Sequence, residues 1–205
     1  MVEPTCELIH KWKTHGMDVK KIRLDNAGEN KLLEKRMGSA DWKMDIEFEF
    51  TAKETPQQNS LVEVAFHHLG NKGRSMMAKA NVPKDIRYRV YWKAFETATK
   101  VNNLSAVTID GKTATRYEHF AGGNPKFAQH LRAWGEAGTV KTKTTGTPKF
   151  NDRGKQCMFV GYPKNHPGDC YEMWNPTKGR ITVTRDVIWL NRMYYSKDAV
   201  PQEED

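Results

Sequence analysis

The spacing of apolar residues changes near residue 122, and this change constrains the fold more than any other feature of the sequence. Before it, helical spacing over residues 5–15 and 30–37 alternates with strand-like runs over 19–24 and 44–50. This alternation predicts an α/β layer. After the "GGNP" of residues 122–125, short runs separated by turns ("TVKTKT", "QCMFVGY", "DCYEMW" and "RITVTRDVIWL") predict a twisted β module of four or five strands.

The sequence therefore predicts an α/β domain over residues 1–122, a small β-rich module over 123–195 and an acidic tail over 196–205. Within the first domain we expect three more helices: a long one from Pro56, one over 85–102 and a short one over 113–121. The long helix carries apolar residues at helical spacing, which predicts a buried stripe of Val62, Phe66, Leu69, Met76 and Ala80.

The chain is basic, with 33 Lys and Arg against 25 Asp and Glu, a net charge of +8 and a pI near 9.3. This balance favours a polyanionic partner such as nucleic acid, and the alternative is an ordinary solvated basic surface. The positive charge is densest at the start of the β module, within the fifteen residues that contain Lys141, Lys143, Lys149, Arg153 and Lys155.

Cysteine usage and hydropathy exclude several other classes of protein. Cys6, Cys157 and Cys170 form no CxxC pair, so neither a disulfide framework nor a zinc knuckle is indicated, and we expect an intracellular protein of the nucleus or cytoplasm. No apolar run approaches the roughly 20 residues of a membrane span, so we expect no membrane association. His10 and His15 lack partners for a metal site and are interpreted as surface residues.

Two carboxylates are candidates for chemistry. Asp25 follows the strand at 19–24, and Glu63 lies early in the long helix, with 37 residues between them (26 to 62). An α/β connection of this kind can return both side chains to one edge of the sheet, where they could hold Mg²⁺ for phosphoryl displacement. Two unrelated surface acids would give the same spacing.

Several motifs are more specific. "VKKIRLDNAGEN", "TPQQNSLVE", "YWKAFETAT" and "GKQCMFVGYPKNHPGDCYEMWNPTKGRITVTRDVIWL" resemble the integrase region of Copia-type LTR-retrotransposon Pol polyproteins, in the retroviral integrase superfamily. The resemblance implies a truncated RNase H-like core followed by a small SH3-like β module. By motif match Asp25 takes the place of the second catalytic aspartate and Glu63 that of the glutamate, with Mg²⁺ or Mn²⁺ as cofactor.

The same resemblance implies that DNA contacts come from the segment before the glutamate, from the long helix and from the β module. The implied DNA-binding residues are Gln57, Gln58, Asn59, Arg74, Lys141, Lys143, Lys149, Arg153 and Lys155. The implied partners are DNA, other segments of a Pol polyprotein and further copies of the chain.

The sequence also departs from the family pattern. Met1 lies only 24 residues before Asp25, so we expect the first strands of the RNase H-like fold and the first catalytic aspartate to be absent. Val64 and Ala65 replace the Arg-Lys that usually follows the glutamate. We therefore expect this chain alone to be inactive as a strand transferase. Three functions stay open: an integrase fragment that completes its site with another chain, a non-catalytic nucleic-acid-binding remnant, and a protein-interaction module.

Overall fold

The computed structural model of the chain describes residues 2–14, 16–52, 60–141 and 153–197. These residues fall into two compact units, 1–66 and 67–205, and the division passes through a helix. The boundary expected at residue 122 lies inside the second unit, where helices and strands on either side of it share one hydrophobic core.

The first unit is a β-α-β arrangement preceded by a helix. Its elements are α1 (Val2–Thr14), β1 (Lys21–Leu24), α2 (Gly28–Met37) and β2 (Glu47–Phe50). The two strands pair in parallel, from Lys21 opposite Glu47 to Leu24 opposite Phe50. A core of Cys6, Ile9, Leu33, Met37 and Met44 lies between the helices and this sheet. The α/β alternation predicted for this part of the chain is confirmed.

The helix α3 (Ser60–Lys79) is followed by α4 (Arg87–Asn102). The predicted buried stripe on α3 is wrong in its first half, because Val62 is 47% exposed and Phe66 is 59% exposed. Burial on α3 begins where α4 approaches it closely: a Cβ built on Gly73 would lie 3.5 Å from the backbone nitrogen of Phe95. Beyond that point Met77 is buried, as is Ala80 just after the helix.

A β-hairpin precedes the short helix α5 (Arg116–Ala121). Its strands are β3 (Ala106–Ile109) and β4 (Lys112–Thr115), joined by Asp110 and Gly111, which both have positive φ (50° and 77°). The helix predicted over 113–121 is therefore wrong in its first three residues. An Asp-Gly pair is a strong signal for a two-residue hairpin turn, and Thr115 begins the helix by accepting a hydrogen bond from the Glu118 N–H (3.0 Å).

The rest of the second unit is an antiparallel sheet of five strands in the described part of the chain. After a 3₁₀ helix (Lys126–His130) come β5 (Glu136–Lys141), β6 (Gly154–Gly161), β7 (Tyr171–Asn175), β8 (Arg180–Thr184) and β9 (Val187–Met193). The strand order is β8-β7-β6-β5-β9. This confirms the predicted β module, and the single run "RITVTRDVIWL" forms two strands because the chain turns at Arg185 and Asp186.

Helices α3 and α4 share a core with this sheet. Met77, Val90 and Ala94 pack with Trp134 and Val160, among other buried residues. The carbonyl of Val160 accepts two hydrogen bonds at 3.0 Å, one from the Trp134 indole N–H and one from the Thr97 hydroxyl of α4. Among the described residues, α3 and α4 therefore pack directly against the β module.

A buried ion network also joins α4 to the sheet. The Lys93 ammonium lies 2.8 Å from a Glu96 carboxylate oxygen and 2.6 Å from one of Glu172 on β7. Lys100 pairs with the other Glu96 oxygen at 3.1 Å and also donates to the carbonyl of Tyr162. Burial alone would raise the pKa of Glu96, but the ion pairs with Lys93 and Lys100 outweigh it and lower that pKa.

Candidate metal site and nucleic-acid interface

Asp25 lies directly after β1, in the turn that leads into α2. Its Oδ1 accepts hydrogen bonds from the backbone N–H of Ala27 (3.2 Å) and from the side-chain amide of Asn30. The same amide also donates to the backbone carbonyl of Asp25 (3.2 Å). These contacts hold an exposed carboxylate in one orientation at the end of a strand, and they also give Asp25 a structural role as the residue that closes the turn.

Parallel pairing sends the chain out of β1 and β2 at the same edge of the sheet. Leu24 is opposite Phe50, and the N–H of Thr51 donates to the Leu24 carbonyl (2.9 Å). Asp25 therefore follows β1 at the edge from which the chain continues toward α3. Glu63 lies in the first turn of α3 and is exposed.

The donor set for a metal ion is incomplete in the part of the chain that the structure describes. Among those residues no three His, Cys, Asp or Glu side chains form a group that could hold an ion. Carboxylate oxygen is the right ligand chemistry for Mg²⁺, but two acids do not make a complete site. Binding of a metal by Asp25 and Glu63 stays a prediction.

The other predicted site residues fall into three places. Gln57, Gln58, Asn59, Lys143 and Lys149 lie outside the described residues. Arg74 is exposed on α3, where its guanidinium donates to the side-chain oxygen of Asn71. Lys141, Arg153 and Lys155 lie at one end of the five-stranded sheet, on β5, before β6 and on β6.

The register of the sheet explains why these three cations lie together. Lys141 is paired with Gly154, and Val140 is paired with Lys155, so the end of β5 lies beside the start of β6. Two grooves open at this end. The one of about 500 Å³ is lined by Lys141 and Lys155, and the one of about 690 Å³ is lined by Lys141 and Arg153.

The structure adds three cations that the sequence analysis missed. Lys178 and Arg180 complete the first groove, and none of the described residues that line it is acidic. Arg185 lines the second groove beside Asp186, at an ion-pair distance of 3.8 Å. We use the term basic cluster for the six residues Lys141, Arg153, Lys155, Lys178, Arg180 and Arg185.

A turn motif in the sequence could have predicted where two of the missed cations lie. The "NPTKGR" turn connects β7 to β8, and its closing pair is Asn175 opposite Arg180. The Asn175 side chain accepts the N–H of Lys178 (3.1 Å) and so fixes this turn. A tight turn between two strands places its cations at one end of a sheet. Whether the cations of β5 lie close to them at that end depends on the strand order.

The charges of the first unit are arranged differently. On β1, Lys21 pairs with Glu47 at 3.0 Å and Arg23 pairs with Glu49 at 3.1 Å across the parallel strands. The Arg23 side chain lowers the pKa of Glu49 through its hydrogen bonds, despite an opposing effect of desolvation. These cations are compensated locally, whereas the described lining of the groove of Lys141, Lys155, Lys178 and Arg180 contains no acid.

Comparison with known proteins gives two agreeing results. Residues 138–203 match the family model of the retroviral polymerase SH3-like domain. Over 182 residues the chain is 28% identical to the "Retrovirus-related Pol polyprotein from transposon TNT 1-94" of Nicotiana tabacum, which covers 85% of this chain. The chain is related to retrotransposon Pol polyproteins. The resemblance to retrotransposon Pol polyproteins that the sequence motifs indicated is confirmed.

A second relative is the "Retrovirus-related Pol polyprotein from transposon RE2" of Arabidopsis thaliana, 26% identical over 142 residues and 68% of this chain. The chain spans 12% of the tobacco Pol polyprotein and 9% of the Arabidopsis one, so it corresponds to a small part of each. All six residues of the basic cluster lie within the SH3-like match. Within the described residues, no helix combines the length and the apolar character needed to cross a membrane.

Proposed function

We propose that this chain is a nucleic-acid-binding segment derived from the integrase region of a retrotransposon Pol polyprotein. The observation that carries the proposal is the groove of the SH3-like domain in which Lys141, Lys155, Lys178 and Arg180 meet, with no acid among the lining residues that the structure describes. Like charges gathered on three strands and a turn repel one another, and a polyanion that neutralises them is the natural ligand.

The chemistry of the cluster favours phosphate contacts over the reading of bases. Lysine ammonium groups on flexible stems act as point charges toward phosphate oxygens, and such contacts position a nucleic acid without selecting its sequence. The cations lie on β5, on β6 and around the β7–β8 turn, so they are spread across the end of the sheet. This spread suits the phosphates of a DNA backbone better than a single small anion.

The salt dependence of DNA binding tests this proposal. We expect a Lys141→Ala/Lys155→Ala/Arg180→Ala triple variant to reduce the slope of log affinity against log salt by about 2–3, since each neutralised phosphate contributes about 0.9. The matched control removes three exposed lysines outside the SH3-like match: Lys31, Lys35 and Lys112. A slope unchanged in the first variant, or reduced equally in the control, would contradict the proposal.

A second candidate function is metal-dependent polynucleotidyl transfer on a truncated RNase H-like core. The observation that favours it is the parallel β1–β2 pair, which places Asp25 at the edge from which the chain continues to the helix of Glu63. We propose that both acids hold Mg²⁺ or Mn²⁺ and that the further acid comes from another segment of the Pol polyprotein or from a second copy. Such ions activate an attacking oxygen and stabilise the leaving oxygen.

This chain would contribute two carboxylates, of which Asp25 is held by hydrogen bonds. The hydrogen bonds described at Asp25 fall on Oδ1, so Ala27 and Asn30 fix the group while Oδ2 is the oxygen available to a ligand. A Mg²⁺- or Mn²⁺-dependent nicking and joining assay on DNA ends tests this, with another segment of a Pol polyprotein added to supply the further acid and with Asp25→Asn as the comparison. We expect activity only with the wild-type residue, and equal activity of the two proteins would remove this candidate and leave the non-catalytic binding function.

A further inference from the structure

A separate cavity lies in the second unit, between the 3₁₀ helix and the loop that follows β6. It has a volume of about 270 Å³ and is lined by residues from four segments, including Lys100 of α4 and Tyr117 of α5. Typical ligand sites have volumes of about 300–1,000 Å³, so this cavity suits one small ligand. Among the residues that the structure describes, it shares none with either groove of the basic cluster.

One wall of the cavity is aromatic and fixed in place. The Phe127 ring stacks on Tyr162, with 4.8 Å between the ring centroids and 27° between the planes. Tyr162 is only 3% exposed, and its hydroxyl accepts the N–H of Arg132 (2.9 Å) and donates to the His130 carbonyl (3.2 Å). Because Tyr162 is almost fully buried, the surface that it supports for a planar ligand is the half-buried ring of Phe127, which does not have to be ordered on binding.

The rest of the lining offers hydrogen-bond donors. Lys126 and His166 are exposed at the cavity, and among the described residues no carboxylate lines it. The other lysine of the lining, Lys100, is already paired with Glu96 at 3.1 Å, so its charge is largely compensated. An anionic group is therefore expected next to Lys126 and His166.

The backbone around the cavity is rigid. A Cβ built on Gly168 would lie 2.2 Å from the carbonyl oxygen of Lys126, so the loop and the 3₁₀ helix touch at a position that only glycine permits. Pro125, Pro163 and Pro167 line the cavity, and the ring of each proline fixes φ. The cavity is consequently preformed.

We propose that this cavity binds one nucleotide, with its base against the aromatic wall and its phosphate at Lys126 and His166. Stacking of a base on an aromatic side chain is favourable and depends little on base identity. Hydrogen bonds to a charged phosphate are stronger than those between neutral groups. The ligand is either a free nucleotide or the unpaired terminal nucleotide of a nucleic-acid strand.

Calorimetric titration of the full chain with dAMP tests the site. We expect dAMP to bind more tightly than inorganic phosphate, and a Lys126→Ala/His166→Ala variant to weaken dAMP binding by about tenfold or more, because two charged contacts are lost. The matched control is Lys164→Ala, an exposed lysine of the same loop outside the lining, which should bind dAMP like the wild type.

Binding of two DNA duplexes, one blunt and one with a single unpaired nucleotide, distinguishes the source of the ligand. A preference for the overhang that the double variant loses supports a strand end, and dAMP binding without this preference supports a free nucleotide. Absence of dAMP binding to the wild type, or equal binding of phosphate and dAMP, would overturn the nucleotide site. Because the basic cluster can also attract the phosphate of dAMP, undiminished dAMP binding by the Lys126→Ala/His166→Ala variant would equally overturn the site.

Discussion

The ion network between α4 and β7 gives the sharpest stability prediction. Lys93 has a side chain only 7% exposed and contacts two carboxylates, Glu96 at 2.8 Å and Glu172 at 2.6 Å. Lys93→Met keeps an unbranched side chain of similar length and removes the positive charge. Glu96 retains Lys100, but Glu172, at 12% exposure, is left without the cation that offsets its burial.

The expected cost follows from this geometry. Removing one partner of a buried ion pair costs about 3–5 kcal/mol, and the slight exposure of Glu172 favours the lower end, about 3 kcal/mol. Loss of the contact between the Lys93 ammonium and the Trp92 ring, 4.3 Å from its centroid, adds to this by about 0.5–1 kcal/mol. Urea unfolding followed by circular dichroism measures the change in the free energy of unfolding.

Two further variants show whether the uncompensated charge is the cause. Lys93→Met combined with Glu172→Gln should regain about half or more of the lost stability, since no unpaired carboxylate remains. Arg185→Met breaks an exposed ion pair and should change stability by about 0.5 kcal/mol or less. If Lys93→Met costs no more than Arg185→Met, or if Glu172→Gln gives no recovery, the reasoning is refuted.

Three other outcomes are expected. Gly135→Ala should lower the free energy of unfolding by about 3 kcal/mol, because φ is +89° and the added Cβ would lie 2.2 Å from the Ala80 Cβ. The Cβ added by Gly123→Ala meets open space, so this variant should change the free energy of unfolding by about 0.5 kcal/mol or less in the same urea assay. Burial raises the pKa of Tyr162 to about 12, so the buried neutral phenol stabilises the fold fully below the ordinary pKa of 10.0. This stabilisation is lost as the pH rises toward 12, and urea midpoints that stay constant across this range would contradict it. The pKa of Glu96 is lowered in the folded protein, so the ionised carboxylate stabilises the fold fully above pH 4.5. This stabilisation is lost as the pH falls through the lowered pKa, and Glu96→Gln should reduce the loss.

Local patterns in the sequence predicted most of the secondary structure. The alternation of helix and strand up to β2 and the meander after residue 125 both correspond to described elements. The β3–β4 hairpin was missed because β4, with the sequence KTAT, has a single apolar residue and no apolar alternation, even though Asp110 and Gly111 are typical of such a turn.

Tertiary context decided what the local patterns could not. Helical spacing predicted burial of Val62 and Phe66, but spacing shows only which residues share a face and not whether anything covers that face. Lys141 and Lys155 could be grouped from their closeness in sequence, whereas Lys178 and Arg180 join them only through the strand order β8-β7-β6-β5. Asp25 was placed correctly at the end of a strand, and its partners Ala27 and Asn30 lie within its own turn.

Lysine acetylation with and without DNA, followed by peptide mass spectrometry, tests the proposed nucleic-acid interface most directly. If the basic cluster contacts phosphates, the reactivity of Lys141, Lys155 and Lys178 falls when duplex DNA is added at low salt and returns at high salt. Lys31 and Lys112, exposed outside the SH3-like match, keep the same reactivity throughout. Bound DNA that leaves the three cluster lysines as reactive as in the free protein would contradict the account.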